Sequence, residues 1–365
     1  MNASTARRGF AAAAIVLSLT FALSACGGNS NNNASSNNAK IDCSTGSIKA
    51  SGSTAQKNAI ADWINNYQSA CTGATVDYQA VGSSAGIADF VNKQTAFAGS
   101  DSALKPEDQP KADARCATGK ALDIPMVGGA ITLAYNVNGV DSLTLTPAVI
   151  AGIFNNSITK WNDSKIADLN KSVTLPDATI AQFHRSDGSG TTDNFTKYLA
   201  AAAPSVWKLG NDKAWKATGG QGAKGNDGIA SALKSTDNSI GYVELSFAQD
   251  AALKVASVDN GAGAVEPNAQ TAAATIAKAT RVDASSNIKL KVDYTIKSAD
   301  AYPIVLVTYE ITCQKGLGSS DLALTKSFLT YTASDAAQAN LADNGYVPIS
   351  GDLLTAVRAS VASIS

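Results

Sequence analysis

The sequence predicts an α/β protein in two domains, and three observations carry that expectation. Strand-like and helix-like runs alternate along the chain, the pattern of strand–helix–strand units around a parallel sheet. The stretch from about Ile41 to Ser365 is longer than a single hydrophobic core serves. Several strand-to-helix junctions repeat the same Gly and Ser chemistry.

The N-terminus reads as an address. Arg7 and Arg8 precede an uncharged stretch from Gly9 to Ala25, shorter than the roughly 20 apolar residues that a membrane-spanning helix needs. Residues 1–25 are therefore expected to be a signal peptide. Leu23-Ser24-Ala25-Cys26 resembles the lipobox at which bacteria attach a diacylglycerol to Cys and cleave just before it, so Cys26 is the expected lipid anchor at the extracytoplasmic face of the cell membrane. An ordinary secretory cleavage after Ser24 is the alternative, and Arg7-Arg8-Gly9-Phe10 hints at twin-arginine export. Residues 26–42, mostly Asn, Ser, Gly and Ala as far as Lys40, bury too little to offset their ordering entropy and read as a flexible tether. Beyond Cys26 stand Cys43, Cys71, Cys116 and Cys313, an even number in an oxidising compartment, which favours two disulfides among three possible connectivities. Metal binding lacks the CxxC or His spacing that it needs.

Ser47 to Ser51 reads as a short strand. Ser53 and Thr54 can cap a helix whose Ile60, Trp63, Ile64 and Tyr67 follow helical spacing. Thr75 to Val81 alternates as a second strand. Gly82 to Gly86 leads into a helix with Ile87, Phe90 and Val91 on one face, and Ala96-Phe97-Ala98 is a third strand, ending in Gly99-Ser100-Asp101. This is a βαβαβ unit. Because a helix returning from a strand ends near that strand's start, Cys71 is expected beside Cys43, which leaves Cys116 for Cys313.

A second unit begins near Ile124. Val127 to Val137 is a buried strand, and Thr146-Pro147 starts a helix carrying Val149, Ile150, Ile153 and Phe154. Thr179 to His184 is a strand, Asp187 to Gly190 a turn, and Thr191 opens a helix with Phe195, Tyr198 and Leu199 inward. Gly219 to Gly228 is expected to be a solvated, mobile loop. Ile304 to Ile311 is a long apolar strand, after which the last helices return to the first unit. The chain therefore divides into residues 43–123 with 301–365, and residues 124–300.

Charge narrows the function classes. Lys plus Arg number 29 against 30 Asp plus Glu, and charged residues make up only 16% of the chain. Without a basic excess there is no footprint for nucleic acid and no basic helix for anionic lipid. The 45% apolar share supplies large cores and excludes wholesale disorder. Any ligand must be recognised locally, with an affinity that depends weakly on salt.

Three junctions offer such recognition: Gly52-Ser53-Thr54, Gly82-Ser83-Ser84 and Gly188-Ser189-Gly190-Thr191. Each puts backbone N–H groups, a small hydroxyl and a helix dipole at the carboxyl end of a strand, which is where open sheets bind anions. At any one junction the hydroxyls could serve simply as helix caps, but three in one chain point to a shared ligand. Arg185 adjoins the third junction, and its planar fork suits two oxygens of one anion, with Asp187 placed to hold the guanidinium.

His184-Arg185-Ser186-Asp187-Gly188-Ser189-Gly190-Thr191-Thr192, together with Gly52-Ser53-Thr54, Gly82 to Gly86 and Ala98-Gly99-Ser100-Asp101, resembles the phosphate-binding proteins of bacterial phosphate ABC transporters. Ile153-Phe154, Lys160 to Asp163 and Ser239 to Val243 are similar to stretches of the same family. The resemblance implies a periplasmic-binding-protein-like (type II) fold, two α/β lobes joined by crossover strands and closing on one phosphate in the cleft. It implies ligand contacts from Thr54, Ser83, Asp101, Arg185, Ser189, Gly190 and Thr191, with Ser53 and Asp187 in support. It also implies delivery of inorganic phosphate to ABC permease subunits by a monomer that needs no cofactor or metal. A receptor for another oxyanion or a phosphate ester is the nearest alternative.

Asp101 looks misplaced beside an anion. Ionised, a carboxylate can only accept hydrogen bonds; phosphate near neutral pH still has a proton to donate, whereas sulfate has none. A site built to accept a substrate hydrogen rejects the analogue that lacks it. The rival from another class is a serine hydrolase, because Gly82-Ser83-Ser84-Ala85-Gly86 fits G-x-S-x-G and His184 follows Ser84 in the required order. No HGGG-type oxyanion segment accompanies it, and the anion reading already explains the strand that holds His184. Gly188-Ser189-Gly190 lacks the third glycine of a dinucleotide fingerprint and the Lys of a P-loop.

Overall fold

The computed structural model describes residues 41–365, so the expected signal peptide, the Cys26 anchor and nearly all of the tether lie outside the described residues. Strand β1 (Gly46–Gly52), helix α1 (Lys57–Ala70), β2 (Ala74–Gln79), α2 (Ser83–Val91) and β3 (Phe97–Ser100) form the first unit. β1 lies between β2 and β3 and pairs in parallel with both, as the βαβαβ pattern requires. α1 buries Ile60, Trp63 and Tyr67 of the stripe that its spacing announces, together with Ala59, while Ile64 is half-buried.

The spine of the molecule is β4 (Ala121–Asn136), buried along its length up to Asn136. Its first part, Ala121 to Ala130, pairs antiparallel with β8 (Val305–Cys313), and Ile131 to Asn136 pairs antiparallel with β7 (Ser239–Glu244). With β5 (Ala181–Arg185) and β6 (Gln221–Ala223) the sheet runs in the order β2-β1-β3-β8-β4-β7-β5-β6. β9 (Tyr346–Pro348) and the pair Lys254–Val255 add to β4 and bring the sheet to ten strands. Two α/β lobes thus share one strand, and burial on both faces explains why β4 shows no polar alternation.

Helices cover the faces. α4 follows α3 (Gln109–Arg115) and occupies Pro147–Phe154, starting at Pro147 after an extended Thr146. α5 (Gly190–Ala202) buries Phe195, Tyr198 and Leu199, and Phe195 stacks on Tyr242 at 4.5 Å. α6 (Gly225–Ser235) buries Ile229, Ala230 and Leu233. α7 (Ala269–Ile276) begins at an Asn268 capping box and packs on β4, β8 and β9. α8 (Ser319–Thr332) packs on β1, and α9 (Gly351–Ala362) on β4, which returns the C-terminus to the first unit. The disulfides are Cys43–Cys71 and Cys116–Cys313, the pairing that the topology suggested.

Three local expectations need correction. Gly219 to Gly228 is solvent-exposed over Gly219 to Gly222, as expected, but it is not an irregular loop: Gln221–Ala223 pairs in parallel with Phe183–Arg185, and Gly225 at φ +71° turns the chain into α6. The pairing is long-range, so a glycine-rich stretch does not reveal it locally. Ser53 and Thr54 do not cap α1, which starts at Lys57; Ser53 Oγ instead accepts from the N–H groups of Ala55 (3.0 Å) and Gln56 (3.4 Å) in the turn before it. α2 starts at Ser83, so Ser84, Ala85 and Gly86 belong to its first turn rather than to a loop.

Candidate functional site

The three junctions converge. β1, β3 and β5 deliver Thr54, Asp101 and Arg185, and the first turns of α2 and α5 deliver Ser83, Ser189, Gly190 and Thr191, all of them buried. Ser83 Oγ lies 3.1 Å from the Gly190 N–H, which donates to it, and the Ser84 N–H donates to Gly188 O at 2.9 Å. Contact here is so close that a Cβ at Gly190 would come within 2.5 Å of Asp101 Cβ. Glycine at this position is therefore required by the approach of the two halves.

Asp101 sits among donors. Its Oδ1 accepts from the hydroxyls of Ser53 and Thr308, the latter at 2.9 Å, and its Oδ2 from Ser83 Oγ at 3.4 Å. Burial raises its carboxyl above the ordinary range, while the hydroxyls of Ser53 and Thr308, the charge of Arg185 and Ser83 act to lower it. Thr308 lies on β8 and had no motif to announce it.

Arg185 is fixed on several sides. Its Nε donates to Asp187 Oδ1 at 2.7 Å and one terminal nitrogen to Asp187 Oδ2 at 2.5 Å, the bidentate hold expected of that pair. The other terminal nitrogen reaches Thr191 Oγ1 at 3.4 Å, and the backbone N–H donates to the Tyr242 hydroxyl at 3.0 Å. A guanidinium has five N–H donors, so these contacts leave one on each terminal nitrogen for a ligand. Burial raises the Asp187 carboxyl, but the hydrogen bonds and charge of Arg185 outweigh it and hold the group below its ordinary range. Ser189 Oγ caps α5 by accepting from the Thr192 N–H at 3.2 Å.

Sequence reasoning missed Asn226. It stands in the first turn of α6 and meets Thr54 from the opposite half, with Nδ2 2.9 Å and backbone N 3.2 Å from Thr54 Oγ1. Only its place just after a glycine, as at the other junctions, could have suggested it. The geometry does not assemble a hydrolase. His184 stacks on Trp215 at 5.0 Å and its Nδ1 lies 3.0 Å from Arg185 O, while Ser84 packs against Gly188.

A buried guanidinium, a carboxyl group accepting from three hydroxyls and helix N-termini, all set where two α/β lobes meet, define a solute-binding protein for a small oxyanion. The chain matches the PBP superfamily domain over residues 37–336. It is 41% identical to the phosphate-binding protein PstS 3 of Mycobacterium tuberculosis, over 97% of this chain and 98% of that protein. It is 32% identical to the phosphate-binding protein PstS of Xylella fastidiosa, over 87% of this chain and 86% of that one. The chain belongs to the PstS family of phosphate-binding proteins. In fold it is similar to the crystal structure of a phosphate-binding protein from Stenotrophomonas maltophilia, with a TM-score of 0.68, 21% identity, and coverage of 86% of this chain and 93% of that one. Among the described residues no helix is long and apolar enough to cross a membrane, and no cluster of His, Cys, Asp or Glu could hold a metal ion.

Proposed function

We propose that this chain captures inorganic phosphate in the interlobe cleft and hands it, enclosed, to the membrane subunits of an ABC permease. Thr54, Ser83, Asp101, Arg185, Ser189, Gly190 and Thr191 supply the contacts, with Ser53 and Asp187 holding Asp101 and Arg185 in place. One lobe is built mainly from residues 43–123 with 301–365 and the other mainly from residues 124–300, with β4 crossing that boundary as their common strand. The protein acts as a monomeric receptor rather than an enzyme, works outside the cytoplasmic membrane, and is held there by a lipid on Cys26.

The observation that carries this reading is a buried site containing both a held guanidinium and a carboxylate that accepts from three hydroxyls. Arg185 attracts any oxyanion, but only one that keeps a proton can satisfy Asp101. Isothermal calorimetry with phosphate, sulfate and arsenate on the tether-free protein tests it. Phosphate should bind with a dissociation constant of about 1 µM or below, which needs only about 8 kcal/mol net. Sulfate should bind on the order of 10⁴-fold more weakly. Equal affinity for phosphate and sulfate would overturn the reading. Preference for an organic phosphate in the same titration would replace the ligand while keeping the site.

A further inference from the structure

Thr54 and Asn226 meet across the cleft in an arrangement that settles where every proton goes. Asn226 is fully buried, and the Glu244 N–H lies 3.0 Å from its Oδ1. A peptide N–H can only donate, so that end of the amide must be the oxygen and the NH2 must face Thr54. Both the Asn226 side-chain NH2 and its backbone N–H therefore donate to Thr54 Oγ1, at 2.9 and 3.2 Å. A hydroxyl accepts two hydrogen bonds and donates one. With both acceptor positions taken, the Thr54 hydroxyl has only its proton to offer.

We infer that Asn226 is a positioning residue for phosphate capture: by filling both acceptor positions of Thr54 it makes that hydroxyl a pure donor to the bound anion. Because Asn226 reaches Thr54 from the other half of the molecule, the donor is set only when the halves meet. The same contact thus couples enclosure to recognition. Neighbouring pairs, Lys57 with Asp227 at 2.8 Å and Asn58 with Ser246 at 3.1 Å, extend the seam toward the surface but touch no proposed ligand group. The site then has opposed ends, Thr54 committed to donating and Asp101 to accepting, which fits a tetrahedral oxyanion bearing one proton. This inference rests on the phosphate reading above.

Its test is a double-mutant cycle on the full folded chain: wild type, Asn226→Ala, Thr54→Val and the double variant, each titrated calorimetrically with inorganic phosphate after a thermal melt confirms folding. Each single substitution should weaken binding about tenfold or more, the range for a hydrogen bond to a charged group. The double variant should bind within about twofold of Thr54→Val, because Asn226 acts through the hydroxyl that is already gone. Asn226→Ala binding as tightly as wild type, or a double variant in which the two losses multiply, would overturn the inference; a purely structural Asn226 gives the second pattern. Should Asn226→Ala fail to fold, Asn226→Ser, which keeps a polar group near the Glu244 N–H, takes its place in the same cycle. A wild type that takes up no phosphate would instead overturn the functional reading, and this inference with it.

Discussion

Asp101 shows what a single side chain decides. Its two oxygens accept from Ser53, Thr308 and Ser83, so it is held as an acceptor beside a guanidinium that attracts anions. Asp101→Asn replaces one acceptor oxygen by a donor NH2. Phosphate should then lose affinity and sulfate gain it, shrinking the ratio between them by about 10²-fold or more on competition calorimetry. An unchanged ratio would show that selectivity lies elsewhere. Asp101, Arg185 and Asp187 were legible in the sequence because each sits at a strand end beside Gly and Ser. Thr308 and Asn226 were not: Thr308 comes beside Asp101 only because β8 pairs with β3, placing Tyr309 opposite Ser100. No pattern local to either residue encodes that meeting.

At the scale of elements, the strand-to-helix junction is the repeated device, and its local half was readable. Small hydroxyls and glycines before apolar, helically spaced residues correctly announced α2, α5 and the parallel strands that feed them. Exact starts were not readable, because Ser53 spends its hydroxyl on Asp101 and on the turn before α1 instead of on a helix cap. The Cys43–Cys71 disulfide secures the end of α1 to the chain just before β1, on the far side of the first unit from the strand ends that carry the site. Replacing both cysteines by Ser should cost about 2–4 kcal/mol of stability by denaturant unfolding. Phosphate affinity should stay within about twofold, as for distant independent sites. A parallel loss of affinity would mean that the bridge shapes the cleft.

The whole molecule carries an unusual load of buried carboxyls around its cleft. Burial pushes Glu310 on β8 and Glu244 at the end of β7 up to about 8 from an ordinary 4.5, and the nearby charge of Asp101 adds to both. Neither carboxyl oxygen of Glu310 has a hydrogen-bond partner among the described residues. Since the folded state holds these protons more tightly than the unfolded chain, the stability they confer is complete below pH 4.5 and is lost as pH rises through 8. Glu310→Gln cannot ionise, so it should melt higher than wild type at pH 8.5 and close to it at pH 4.5. Equal melting differences at the two pH values would show that Glu310 does not titrate in this range.

The α/β class, the order of the main helices and strands, the Cys43–Cys71 pair and most of the groups proposed to meet the anion were legible along the chain. All of these follow from neighbours along the chain: apolar spacing, glycine and hydroxyl junctions, and the return of a helix to its strand. Tertiary structure decided the rest. It placed Gln221–Ala223 at the sheet edge, brought Asn226 onto Thr54 and Thr308 onto Asp101, and made β4 a strand common to both lobes. The Asn226–Thr54 and Thr308–Asp101 contacts join residues 172 and 207 positions apart, and the energy of all these contacts depends on strand pairing and lobe contact summed over the whole fold, which local sequence does not encode.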